Sequence, residues 1–195
     1  MKAFRFAAAL AIGAAAAASA QATPERTKPF GARIDGPAGA PPKQEALDKA
    51  VRQLRETHGS WNVTTEFFKR DGSIGVTAAG AYSFDWVVED RVLKGESDIP
   101  ELASKSGILF YVNETKGLIE MASVGKDGHL WVMTGAAGDE VRTTPDTPTP
   151  DGKTVRLRFT RYNVTADRFE SKMEFSHDGG LSWTQGNHQV FVRRK

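Results

Sequence analysis

The sequence predicts an all-β protein, an antiparallel meander that closes into a barrel, with one N-terminal helix. Three observations predict it. From Trp61 onward, apolar residues recur with a period of two. Short turn-forming pairs separate those stretches, and only one stretch, ahead of Trp61, carries a helical stripe.

The helix lies in PKQEALDKAVRQLRETHGSW, where Leu47, Val51 and Leu54, with Ala50, fall three and four residues apart. Pro42 suits its start and Gly59 its stop. A single stripe means that this helix packs on something rather than standing alone.

The clearest strands come late in the chain. Val155, Leu157 and Phe159 alternate with Arg156, Arg158 and Thr160; Phe169, Met173 and Phe175 alternate with Arg168, Glu170, Lys172 and Glu174. Both read as half-buried antiparallel strands. Val76, Ala78, Tyr82 and Phe84 form another, with Trp86, Val88 and Val92 continuing the pattern. Trp61–Lys69, Ile108–Asn113, Leu118–Val124, His129–Thr134 and Gln189–Arg193 are further candidates. Asp71-Gly72, Lys116-Gly117, Asp127-Gly128, Asp151-Gly152 and Gly179-Gly180 supply turns. A flat meander of roughly nine strands exposes one face and two edges, so it should curl on itself. The helix stripe then closes one end; a two-sheet sandwich is the alternative.

Residues 1–22 read as a signal peptide. Lys2 and Arg5 precede the apolar run Phe6–Ala18, and overlapping A-x-A patterns place cleavage after Ala20 or Ala22. That run is too short to span a bilayer. Residues 23–42 hold Pro24, Pro29, Gly31, Gly36, Pro37, Gly39, Pro41 and Pro42, a composition expected of a flexible leader. Residues 43–195 are left for the helix and one barrel domain.

The full chain has 26 Lys and Arg against 24 Asp and Glu. Loss of Lys2 and Arg5 with residues 1–22 leaves 24 of each, so nothing electrostatic favours nucleic acid or an anionic membrane as partner. With no cysteine there is neither a disulfide framework nor a lipid-modified residue, and the expected location is periplasmic or secreted. Oligomeric state is left open.

Two stretches carry a resemblance. Gly59-Ser60-Trp61, after the helix and opening the first strand, resembles the G-x-W signature of lipocalins and wider calycin barrels. The resemblance implies that Trp61 plugs the closed end and that a late arginine, Arg193 or Arg194, packs over it. RLRFTRYNVTADRFESKMEFSHDGGLSWTQ, Arg156 to Gln185, is similar to the C-terminal half of a family of uncharacterised lipocalin-like exported bacterial proteins. What this implies is a calycin-like barrel; no established activity comes with it.

Within that stretch SHDGGLSW, Ser176 to Trp183, fits the Asp-box pattern S-x-D-x-G-x-x-W. One box in a chain this short makes no propeller. Ser176, Asp178, Gly180 and Trp183 are therefore expected to shape a hairpin turn rather than a site.

The chemistry-bearing motifs are few. His58, His129, His177 and His188 show no zinc spacing, so neither metal nor cofactor is expected; haem held by His129 or His188 is weighed against surface or core filling. Glu170 and Glu174 share a strand face with Arg168 and Lys172 and read as an ion ladder. No catalytic residue is assigned. Glu89-Asp90-Arg91 interrupts an otherwise apolar strand, and Arg161 is in phase with inward-facing Val155, Leu157 and Phe159. Either Arg91 or Arg161 could receive an anionic group inside a barrel, with Tyr82, Trp86 and Trp131 as aromatic walls; otherwise each arginine meets solvent or a carboxylate. The function expected is binding of a small hydrophobic or amphipathic molecule. A filled barrel serving as an interaction platform is the alternative, and a cavity enzyme on the Glu89/Arg91 side comes third.

Overall fold

Apart from Trp86–Leu93, the expected alternations form strands, and the strands close into a ring. The computed structural model describes residues 43–149 and 151–195; the expected signal peptide and leader lie outside the described residues. A helix, α1 (Gln44–Thr57), is followed by β1 (Gly59–Phe68), β2 (Ile74–Val88), β3 (Val92–Ile99), β4 (Ser104–Asn113), β5 (Leu118–Gly125) and β6 (Leu130–Ala136). Next come the short β7 (Val141–Thr143) and β8 (Thr147–Pro148), then β9 (Thr154–Tyr162), β10 (Arg168–Ser176) and β11 (Thr184–Arg193).

All pairings are antiparallel. The hydrogen-bonded order runs β10-β11-β1-β2-β3-β4-β5-β6-β7-β9, and β9 pairs back with β10, so a 10-strand barrel closes and β8 hangs on β9 outside the ring. A barrel rather than a sandwich follows from this closure, which leaves the ring no free edge. No helix among the described residues is long and apolar enough to cross a membrane.

The segment Trp86–Leu93 departs from the expected single strand. It is a hairpin, with Glu89–Arg91 in the turn between β2 and β3. No glycine or proline marks this turn. Asp90 adopts the left-handed conformation itself, at φ 60°, and its carboxylate accepts two hydrogen bonds from Arg55 of α1.

The helix closes one end. Ala50 and Leu54 are fully buried and join a core with Trp61, Val63, Leu93, Phe110, Ile119, Phe169 and Phe191. The turns after β2, β4, β6 and β9 gather at this end, because α1 runs directly into the start of β1. The turns after β1, β5 and β10 lie at the other end. A smaller core of Met133, Val155 and Leu157, with Trp131, Phe159 and Met173 against it, lines the barrel toward that end.

Candidate functional site

Trp61 forms the plug beneath the site. It is fully buried, donates its indole N–H to the Thr57 carbonyl at 2.8 Å, and meets Phe169 edge-on at 4.8 Å. Arg193 supplies the arginine that covers it, 4.1 Å above the ring; Arg194 instead donates to the Asn62 side chain. The Arg193 guanidinium donates to the carbonyls of His58 (2.7 Å), Glu56 (3.0 Å) and Ala166 (2.7 Å), tying the end of α1 to the β9–β10 turn. Gly59 makes room: at φ 113°, any Cβ there would lie 2.6 Å from the Arg193 Nη1.

Above this plug the barrel is hollow, with a cavity of about 340 Å³. One wall is apolar: Met121, Trp131, Met133, Leu157, Phe159 and Met173. The facing side, on β1, β2, β3, β4 and β11, carries polar groups satisfied among themselves. Gln189 donates to Thr65 Oγ1 at 3.0 Å and to Tyr82 Oη at 3.1 Å, while the hydroxyls of Ser97 and Ser106 pair at 2.5 Å. Burial raises the Tyr82 phenol above its ordinary pKa, against the opposing hydrogen bonds from Gln189 and Ser97, so it stays protonated. At the end away from the helix, Phe175 and Trp131 stand at the rim, with His129 4.3 Å from the Trp131 ring.

The floor carries two guanidinium groups. Arg161, with a side chain only 3% exposed, holds Glu140 through Nε and Nη2 at 2.8 and 2.9 Å, Glu56 through Nη2 at 2.8 Å, and Thr57 Oγ1 at 3.4 Å. Burial alone would lower its pKa, but Glu140 and Glu56 outweigh that and raise it. Burial would likewise raise the Glu140 carboxyl; the Arg161 hydrogen bond and charge instead hold it below the ordinary range. Beside this saturated cluster lies Arg142 of β7, which is 1% exposed. Its guanidinium sits 4.7 Å from the Phe110 ring centre and 5.7 Å from that of Phe159. Its one side-chain hydrogen bond among the described residues goes from Nη2 to Gln53 Oε1 at 3.3 Å, and Nε is buried with no acceptor. Burial first, and the Arg161 cation second, pull its pKa down to about 10.

Of the residues singled out from sequence, Tyr82, Trp131 and Arg161 converge on this cavity. Trp86 lies toward the helix end, stacked on the His58 ring at 5.5 Å, and does not line it. Arg91, on the β2–β3 turn, pairs with Glu114 at 2.8 Å in solvent. Neither His129 nor His188 lines the cavity; His188 is held on the outside between Glu66 and Glu170. On the same outer face Arg168 pairs with Glu170, and Arg158 and Lys172 with Glu174.

Arg142 has no counterpart in the sequence reading. β7 is three residues long, too short for a periodic signal, and Arg142 faces inward only because β7 docks between β6 and β9, opposite Phe159. The sole trace in the sequence is an arginine between two β-branched residues, Val141 and Thr143.

The Asp-box loop lies at the end away from the floor. Ser176 Oγ donates to Asp178 and accepts from the Gly180 N–H at 2.8 Å, while Asp178 also accepts from the Ser182 N–H and hydroxyl. These donors hold the Asp178 carboxyl well below the usual range. Gly179 and Gly180 have positive φ, and Trp183 donates to the Gly180 carbonyl with Arg158 4.1 Å over its ring. None of Ser176, Asp178, Gly180 or Trp183 lines the cavity.

A helix-plugged antiparallel barrel with an internal cavity defines a lipocalin-like fold. No protein-family model matches the chain, and no curated protein matches it. Among solved structures it is similar to the crystal structure of Rv2717c from M. tuberculosis, at 14% identity and TM-score 0.54, covering 75% of this chain and 98% of that one. It also matches the S-type phycobiliprotein lyase CPES from Guillardia theta at 11% identity and TM-score 0.47, covering 79% and 99%. The likeness to Rv2717c supports the fold alone.

Proposed function

We propose that this is an exported lipocalin-like protein that binds a small, partly apolar molecule inside the barrel. The cavity carries the reading: about 340 Å³ enclosed by aromatic and methionine side chains, with a few polar groups converging from one wall and the floor. Ligand pockets have this make-up, and the volume falls at their small end, roughly 300–1,000 Å³. Methionines at positions 121, 133 and 173 give the apolar wall a surface that adapts to shape. Export to the periplasm or medium belongs to the same proposal, as does membership of the exported family that the C-terminal hairpin resembles.

Native mass spectrometry of protein recovered from the periplasm should find a small molecule bound, with the N-terminus generated after Ala20 or Ala22. An environment-sensitive dye should bind the purified barrel, and Met121→Trp, which fills the cavity, should abolish that binding while the fold persists. A protein that carries no ligand and takes up no dye would overturn the reading.

The interaction-platform reading has one observation in its favour. Leu109, Ala122 and Val132 are cross-strand neighbours on the outside of β4, β5 and β6, next to the pair Val124 and Leu130; the four large side chains among them are at least 40% exposed. If that face is the functional one, a Leu130→Glu and Val132→Glu double variant loses a partner while dye binding persists.

A further inference from the structure

The floor holds two guanidinium groups in unequal states. Arg161 spends its donors on Glu56, Glu140 and Thr57. Arg142 has no carboxylate within ion-pairing distance among the described residues, one hydrogen bond of 3.3 Å, and an Nε with no acceptor. Glu140 and Asp139 favour its charge only from a distance. An unpaired cation this deeply buried is costly, and side chains of this kind persist where something completes them.

The surroundings say what completes it. Phe110 and Phe159 lie against the guanidinium, and ring faces give its N–H donors no oxygen to bond. Planar N–H donors of this kind match the two oxygens of a carboxylate. The charge count limits the ligand further. Glu56 and Glu140 together exceed the single charge of Arg161, so among the described residues Arg142 is the floor cation with no carboxylate in contact, and a second negative charge on a ligand would meet carboxylates rather than a cation. Away from the floor the apolar wall of Met121, Met133 and Leu157 has nothing to offer but dispersion and water exclusion.

We propose that Arg142 is the head-group receptor of the cavity, and that the ligand is a small monoanionic amphiphile with its carboxylate on Arg142 and its apolar tail along Met121 and Met133. This inference rests on the cavity being a binding site. Arg161 acts as a positioning residue, holding Glu140 and the end of α1 so that neither carboxylate turns onto Arg142.

Octanoate and its neutral isostere octanamide test it on the full mature protein, by titration calorimetry or displacement of a bound dye. Octanoate should bind at least about tenfold more tightly than octanamide, since an ion pair with two acceptor oxygens replaces a hydrogen bond from the cation to an uncharged carbonyl. Each methylene removed from the acid should weaken binding about fourfold. Arg142→Met should erase the preference for the acid, weakening octanoate far more than octanamide, and Arg142→Lys should restore part of it. High salt should change the preference little, because the pair is out of solvent. If both compounds bind equally well, or if Arg142→Met keeps the preference, the head-group assignment is overturned while the cavity reading stands. If neither they nor any dye bind, the cavity reading fails and takes this inference with it.

Discussion

Replacing Arg142 by Met should stabilise the ligand-free protein. The ordinary arginine pKa of 12.5 falls to about 10 in the fold, chiefly through burial and then through the Arg161 cation. At 1.36 kcal/mol per tenfold, that displacement places the cost of keeping this charge at about 3 kcal/mol. Against it stand the contacts a methionine would lose. The hydrogen bond to Gln53 is long and worth about 1 kcal/mol. The contacts with Phe110 and Phe159 contribute on the order of 1 kcal/mol, part of which a thioether against aromatic rings retains. The balance favours Arg142→Met by roughly 1 kcal/mol, which for a domain of this size raises Tm by about 3 °C. Differential scanning calorimetry on delipidated protein measures this directly. Added octanoate should reverse the order, raising the Tm of the wild type and not that of the variant. A variant destabilised by 2 kcal/mol or more would refute the reasoning, because Arg142 would then be a packing element whose charge the fold already satisfies.

Other perturbations separate scaffold from site. Arg193→Ala removes three charge-assisted hydrogen bonds to carbonyls and the cover on Trp61, and should cost about 3 kcal/mol in urea unfolding; a loss below 1 kcal/mol would mean that the plug holds without it. For Glu140, the folded carboxyl lies below its ordinary value, so its contribution is fully present above about pH 4.3 and is lost as pH falls through the folded pKa. Glu140→Gln should therefore lower stability at neutral pH and flatten the acid limb of the stability–pH curve; an unchanged acid limb would count against the pairing. Asp178→Asn should alter Trp183 emission and leave octanoate affinity unchanged, and a change in affinity would bring the Asp box into the site. Gly186 is the unpaired residue of the β10–β11 bulge, and a Cβ there would overlap the Phe175 ring at the rim. Gly186→Ala should cost about 1–3 kcal/mol and alter the rate of dye entry, whereas an unaltered rate would place the entrance elsewhere.

The sequence by itself determined the ribbon. The two-residue rhythm of Val155–Phe159 and Phe169–Phe175 is a local property of a half-buried strand, so faces and neighbours could be read without coordinates. Gly59 and Trp61 were singled out only through their resemblance to the G-x-W signature; in the structure Trp61 is fully buried and Gly59 has a positive φ. The phase that placed Arg161 inward belongs to the same signal. Tertiary structure decided everything that depends on long-range pairing. It turned Glu89–Arg91 outward, because Asp90 takes a backbone conformation that only the approach of Arg55 from α1 rewards. It closed β9 onto β10 and so made an inside for the barrel. It assigned Glu56 and Glu140, far apart in sequence, to the same arginine, and left the other buried guanidinium without an anion among the described residues. Periodicity reports which side of a strand a residue faces; which charges end up partnered depends on where closure brings the strands, and a three-residue strand such as β7 has too few residues to announce its own direction.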